Sequence, residues 1–195
     1  MLKRAFDIGF SLGWLICFSP LLLVVALLVR LKLGSPVLFI QERPGLRAKP
    51  FRMVKFRTMN DARGPDGELL PDDQRLTSFG RFLRATSLDE FPEMWNVLIG
   101  DMSVVGPRPL LMRYVPRYDA FQARRMEVRP GVTGWAQING RNTLTWEEKF
   151  ALDVWYVDNR TFRLDMRIVV KTFFKVFARS GIDAGKGKTM EEFRG

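Results

Sequence analysis

Residues 8–29 carry no charged side chain, and Ser19-Pro20 falls in the middle of them. As one straight helix this run would measure about 33 Å, long enough to cross the hydrocarbon core of a bilayer. Pro20 cannot donate to the carbonyl of Ile16, and its ring clashes there, so the sequence predicts a sharp bend. Ser19 is placed to satisfy a carbonyl that the proline frees. Lys3 and Arg4 precede the run while Arg30 and Lys32 follow it, so both ends carry the charges that favour the cytoplasmic face. Two readings fit these residues: a transmembrane helix kinked at Pro20, and a re-entrant helix that enters, bends and leaves on the same side. A cleaved signal peptide does not fit, because the run is too long and no small-x-small site follows it.

Charge and residue usage narrow the chemistry. The chain has 195 residues, a formal charge of +10 and no histidine. Without histidine, Ser-His-Asp and Cys-His nucleophiles and His-containing metal sites are excluded. The single Cys17 rules out an intrachain disulfide and is read as a packing residue within the apolar run. A basic excess suits nucleic acid, anionic lipid headgroups or a phosphorylated substrate. For nucleic acid, aromatics exposed for stacking would be needed. Here they fall on helical faces among aliphatic residues, so no nucleic-acid partner is expected.

The remainder reads as α+β and mainly helical. Two short strands, 37–40 and 51–56, flank the turn-rich Arg43-Pro44-Gly45. Residues 61–73 form a polar loop in which Asp72-Asp73 reads as an acidic turn or a metal site. Amphipathic helices are predicted over 75–86, after Ser87, over 146–157 and over 164–178, with basic, helical character at 113–127. The expected organisation is a membrane helix (1–33), a catalytic domain (34–182) and a mobile C-terminal tail (183–195). Nothing in the sequence sets an oligomeric state.

Ser87-Leu88-Asp89-Glu90-Phe91-Pro92 carries the most chemical information. Ser87 and Glu90 have the spacing of a capping box, in which Asp89 would merely complement the helix dipole. Pro92 lies too far inside such a helix to be comfortable. If the helix starts at Pro92 instead, Asp89 and Glu90 sit just before it, exposed and adjacent. Paired carboxylates in an Arg-rich chain without histidine then suit phosphoryl transfer: one attacks phosphorus, the other holds a divalent cation, and Arg or Lys neutralises phosphate.

Lys55-Phe56-Arg57-Thr58-Met59, Thr86 to Pro92, Gly106-Pro107-Arg108-Pro109, Arg129-Pro130-Gly131-Val132-Thr133-Gly134 and Gly140-Arg141-Asn142 occur in that order. Together with Ser19-Pro20 they resemble the bacterial monotopic phosphoglycosyl transferases, in the small form close to the type that starts protein glycosylation. The resemblance covers nearly the whole chain, and only the longer members carry extra transmembrane helices. It implies a re-entrant helix broken at Ser19-Pro20, anchoring a cytoplasmic interfacial domain on the bacterial inner membrane. It implies transfer of a sugar phosphate from a UDP-sugar to polyprenyl phosphate, with UMP released. Asp89 would be the nucleophile and Glu90 would assist with Mg²⁺, the two forming the metal site. Arg108, and more weakly Lys55, Arg57 and Arg84, would bind phosphate, while Arg141 and Asn142 would bind nucleotide or order the site. The basic helices would rest on anionic membrane lipids, each well-placed Lys or Arg contributing about 1 kcal/mol.

Overall fold

A computed structural model describes residues 1–140, 143–177 and 192–195. The apolar run is two helices, α1 (Leu2–Cys17) and α2 (Ser19–Leu33), bent by 63° where they meet. The break has the cause read from the sequence. Pro20 occupies the first turn of α2, and the Ser19 hydroxyl donates to the freed Ile16 carbonyl at 2.8 Å. Neither helix alone is long and apolar enough to cross a membrane.

Both arms are fastened to the same body. At the start of α1, Lys3 Nζ donates to Asp165 (2.7 Å) and to the Val105 carbonyl (3.0 Å). Arg4 donates to the carbonyls of Val97 and Leu98 at 2.6 and 2.7 Å. Buried Asp7 accepts the Ser103 hydroxyl and the Val104 amide, each at 3.0 Å. At the far end of α2, Val25, Val29 and Leu33 pack with Phe56 and Leu83. Lys3 and Arg4, expected from the sequence to be cytoplasmic flanking charges, are therefore also ligands of the folded domain.

Strands β1 (Leu38–Pro44) and β2 (Pro50–Phe56) form the expected hairpin, longer than its apolar residues alone indicate, with Leu38 opposite Phe56 and Pro44 opposite Pro50. The segment predicted as one helix over 75–86 is divided into α3 (Asp72–Arg75) and α4 (Ser78–Ala85), the latter capped by Thr77. Helix α5 spans Glu93–Ile99. The loops around Gly106 and Gly131 hide a pairing with no sequence signal: β3 (Ser103–Val105) runs parallel to β4 (Gly131–Thr133). Gly131 belongs there because a Cβ would stand 2.0 Å from the Gly106 backbone nitrogen. In the basic segment, a 3₁₀ stretch (Met112–Arg117) precedes α6 (Ala120–Ala123), which has a capping box from Asp119. Then follow α7 (Trp135–Ile138), α8 (Trp146–Asn159) and α9 (Phe162–Phe177).

The main core joins α1, β2, α5, β3, α8 and α9 through Met53, Val97, Val105, Tyr156 and Ile168, with the aromatic face of α1 (Phe6, Phe10, Trp14) against it. Of the expected tail, residues 192–195 are described. There Phe193 is buried among Tyr114, Trp146 and Phe150, and Glu192 pairs with Arg113 and Arg117, so this end is docked rather than free.

Removing a buried acceptor strands its donors at a cost of about 1–3 kcal/mol each. Asp7→Ala is therefore expected to lower the melting temperature of the detergent-solubilised protein by several degrees. An unchanged melting curve would show that this anchor holds nothing.

Candidate functional site

Ser87 adopts a left-handed backbone (φ 56°), and its side chain makes no cap hydrogen bond. The capping box is therefore not formed, and a short 3₁₀ turn, Leu88–Glu90, delivers the carboxylates instead. The helix that follows is N-capped by Pro92, as the second reading of this hexapeptide anticipated. That reading had both acids exposed, and here the structure differs: Asp89 is 7% exposed and the Glu90 side chain 16%. The cause is Phe91, whose ring packs edge-on against Trp14 (4.8 Å) and Phe18 (5.5 Å) of the bent helix pair and draws the turn inward.

Cations converge on Glu90 from two motifs. Arg108 grips it with both terminal nitrogens, the longer contact being 3.3 Å from Nη1 to Oε2. Lys55 reaches Glu90 Oε1 at 3.1 Å and Glu93 Oε1 at 2.9 Å. Asn96 sets this register: its side chain accepts from the Val54 amide (3.0 Å) and donates to the Arg52 carbonyl (2.8 Å), fastening α5 to the stretch of β2 that leads into Lys55.

The three carboxyls are driven apart electrostatically. Burial raises Asp89 to about 6, and the Glu90 charge adds to the push while Lys55, Arg108 and Arg84 oppose it. Burial and Glu90 likewise raise Glu93, to about 7, against Lys55 and Arg108. For Glu90, burial is outweighed by Arg108 and Lys55, which hold its carboxyl far below the usual carboxylate range. Arg108 is in turn held more firmly protonated by Glu90, despite its own burial. The arrangement is one fixed anion, Glu90, beside a desolvated carboxylate, Asp89, that no cation among the described residues neutralises by direct contact.

Of the residues anticipated from sequence, Asp89, Glu90, Lys55 and Arg108 meet. Arg84 donates to Thr58 Oγ1 at 3.0 Å and contributes charge to Asp89 from a distance. Arg57 does not join them. It is buried, bound to the carbonyls of Met59 (2.7 Å) and Ser35 (2.8 Å) and paired with Asp61 at 2.5 Å, so it braces the loop rather than facing a substrate. Arg141 and Asn142 lie outside the described residues. Among the described residues no group of three acids or cysteines is placed to hold a metal. The sequence reading missed Glu93, whose signal was an acid four residues after Asp89 at the start of a mostly apolar helix.

Two cavities meet at this cluster. One, of about 330 Å³, is largely apolar and is lined by Phe10, Trp14, Phe18, Phe91 and Phe173 together with Glu90. The other, of about 200 Å³, is the more polar of the two and is bounded by Arg125, Lys149, Asp153 and Leu110. Arg108 and Gln137 line both.

The site gathers acids and cations around Glu90, which lines an apolar cavity beside the bent helix pair. Residues 1–179 match the family model described as bacterial sugar transferase, and the chain belongs to that family. It is 55% identical to the uncharacterized sugar transferase EpsL of Bacillus subtilis over all of this chain and 96% of that one. It is 40% identical to the Escherichia coli UDP-glucose:undecaprenyl-phosphate glucose-1-phosphate transferase over 91% of this chain and 40% of that one. The undecaprenyl-phosphate galactose phosphotransferase of Salmonella typhimurium is 38% identical, over 92% of this chain and 41% of its own length. The chain thus spans about two fifths of the two enteric relatives.

A carboxyl whose pKa rises from 3.8 in the unfolded chain to about 6 in the fold costs stability above pH 6 and nothing below about pH 3.8. Asp89→Asn is therefore expected to melt higher than wild type at pH 7.5, with the difference shrinking towards pH 4. A variant less stable at pH 7.5 would show that Asp89 is held by favourable contacts instead.

Proposed function

We propose that this protein transfers a sugar 1-phosphate from a UDP-sugar to a polyprenyl phosphate, with Asp89 as the nucleophile. The observation that carries the reading is Asp89 itself: buried, among the described residues without a direct cationic partner, and adjacent to a cation-bound Glu90 that lines an apolar cavity. The activities named for the Escherichia coli and Salmonella relatives support the reaction class.

An Asp89 carboxylate oxygen would attack the β-phosphorus of the UDP-sugar. The bond from that phosphorus to the bridging oxygen breaks, UMP leaves with the electron pair, and an acyl phosphate bearing the sugar remains on Asp89. An oxygen of the polyprenyl phosphate then attacks the same phosphorus and displaces the carboxylate. Arg108 and Lys55 are placed to counter the phosphate charge that develops. Desolvation leaves Asp89 poorly solvated and hence a better nucleophile near neutral pH. Mg²⁺ is expected to assist. Asp89 and Glu90 are hard oxygen donors, and two carboxylates plus phosphate oxygens suffice for this ion, which when bound would neutralise phosphate charge.

The helix pair supports a re-entrant placement at a membrane. Its outward face exposes Leu12, Ile16, Leu23, Leu27 and Leu31, while Lys3 at one end and Leu33 at the other are tied to one body. Arms of 16 and 15 residues meeting at a 63° bend would dip about 12 Å below the line joining their ends, less than half of a hydrocarbon core of about 30 Å. Such a helix would hold the dyad at headgroup depth on the cytoplasmic side, where a water-soluble nucleotide sugar and a lipid phosphate can both reach it.

Incubating the protein with UDP-sugar and Mg²⁺, without lipid, is expected to release up to one equivalent of UMP. Intact mass should then show a sugar-phosphate adduct on wild type and none on Asp89→Asn. Glu90→Gln and Arg108→Ala should each slow turnover at least 100-fold. Normal turnover by Asp89→Asn would end this mechanism. Replacing Ser19 and Pro20 with Leu should straighten the helix and move the N-terminus to the opposite membrane face, read by labelling a cysteine placed at residue 2. Wild type already labelling on that face would exclude re-entrance.

A further inference from the structure

Gln137 is the one wall residue of both cavities, besides Arg108, that carries a polar side chain. Its amide oxygen and nitrogen are both buried, and among the described residues neither has a hydrogen-bond partner. A buried amide left unsatisfied costs about 1–3 kcal/mol per group. Such a residue is informative when it faces a cavity, because a ligand can complete what the fold leaves open. Gly134 leaves the room this amide occupies: a Cβ there would lie 2.6 Å from Gln137 Oε1 and 2.2 Å from the Gly106 carbonyl oxygen.

The two cavities differ in the ligand they suit. The larger has aromatic walls contributed by α1, the bend and α9, and it includes Glu90. The smaller lacks both acids of the dyad and is the more polar. In it Arg125 is already satisfied by Asp153 (2.7 Å) and by the Arg108 carbonyl (2.7 Å), so that its charge is neutralised in place. Arg108 and Lys149 are also in the wall of this recess, so it sets cationic groups beside hydrogen-bonding ones, which suits a nucleotide: heterocycle and ribose on the uncharged groups, phosphate towards Arg108. An in-line displacement by Asp89 requires the departing nucleotide to lie across the phosphorus from the carboxylate. The acceptor phosphate must later approach from that same side. Arg108, common to both cavities, is the group that can meet each phosphate in turn.

We propose that the polar cavity behind Arg108 is the uridine subsite and that Gln137 is the side chain that hydrogen-bonds the nucleotide there, the apolar cavity being left to the lipid. This rests on the UDP-sugar reading given above. Gln137 would then set the affinity for the donor and have no part in binding the acceptor.

Gln137→Leu tests this, because it keeps the approximate shape and removes both polar atoms. With full-length protein in detergent, UMP binding is measured by calorimetry, and Michaelis constants for UDP-sugar and polyprenyl phosphate by UMP release. The expected result is an unchanged or higher melting temperature, at least tenfold weaker UMP binding, a matching rise in KM for UDP-sugar and no change in KM for the lipid. Unchanged UMP affinity would overturn the proposal, as would a rise in the lipid KM alone, which would place Gln137 in the lipid cavity. Failure of wild type to bind UMP would overturn it too. If wild type binds UMP and Gln137→Leu loses it, but no sugar phosphate is transferred, the subsite stands and the proposed reaction falls.

Discussion

The anchoring of α1 to the domain through Lys3, Arg4 and Asp7 is the constraint on which the rest depends. Each of these side chains ends on a partner far along the chain: Asp165, the carbonyls at the end of α5, and the start of β3. An apolar helix without them could slide or tilt relative to the domain, since contacts between aromatic and aliphatic surfaces specify position weakly. Buried charge-assisted bonds do specify it, because losing one leaves an unpaired group inside. With α1 fixed, Trp14 and Phe18 meet Phe91, and Phe91 pulls its two acidic predecessors under cover. The depth of the helix bend and the depth of the carboxylates are thereby set by one interaction.

The cluster around Glu90 is not arranged for stability. Among the described residues three carboxyls share two direct cationic partners, Lys55 and Arg108, and both cations attend Glu90. Satisfying Glu90 so fully leaves Asp89 and Glu93 raised. A fold built only for stability would replace one of the acids by an amide or supply another cation. Separated proton affinities among neighbouring acids are instead the usual mark of a site where one group must react and another must stay charged. Asn96 and the close Gly106–Gly131 approach make that arrangement rigid, the first by aligning Lys55, the second by placing the strand that leads to Arg108.

Much was legible in the sequence. A proline at the centre of an uncharged run dictates a break, and the serine before it caps the freed carbonyl. The dyad, Lys55 and Arg108 were all legible, though chiefly as members of a recognisable set of motifs rather than from spacing. The hairpin followed from apolar residues around a turn. Less legible were α3 and α4, where Leu76 and Thr77 part what periodicity alone would join. The β3–β4 pair was invisible, because three-residue strands in Gly- and Pro-rich segments carry no period to detect.

What the sequence by itself determined is therefore local: where the apolar helix breaks, where strands and long helices lie, and which acids and bases are candidates for the chemistry. The tertiary structure alone decided that Arg57 is a brace while Arg108 is a ligand of Glu90, since both are arginines within short motifs and only their partners separate them. It also decided that Ser87 is no cap, that Asp89 is buried, and that Gln137 faces two cavities with an amide that no described residue satisfies. Each of these depends on what lies opposite a side chain, which is a property of packing between distant segments and is written in no single stretch of chain.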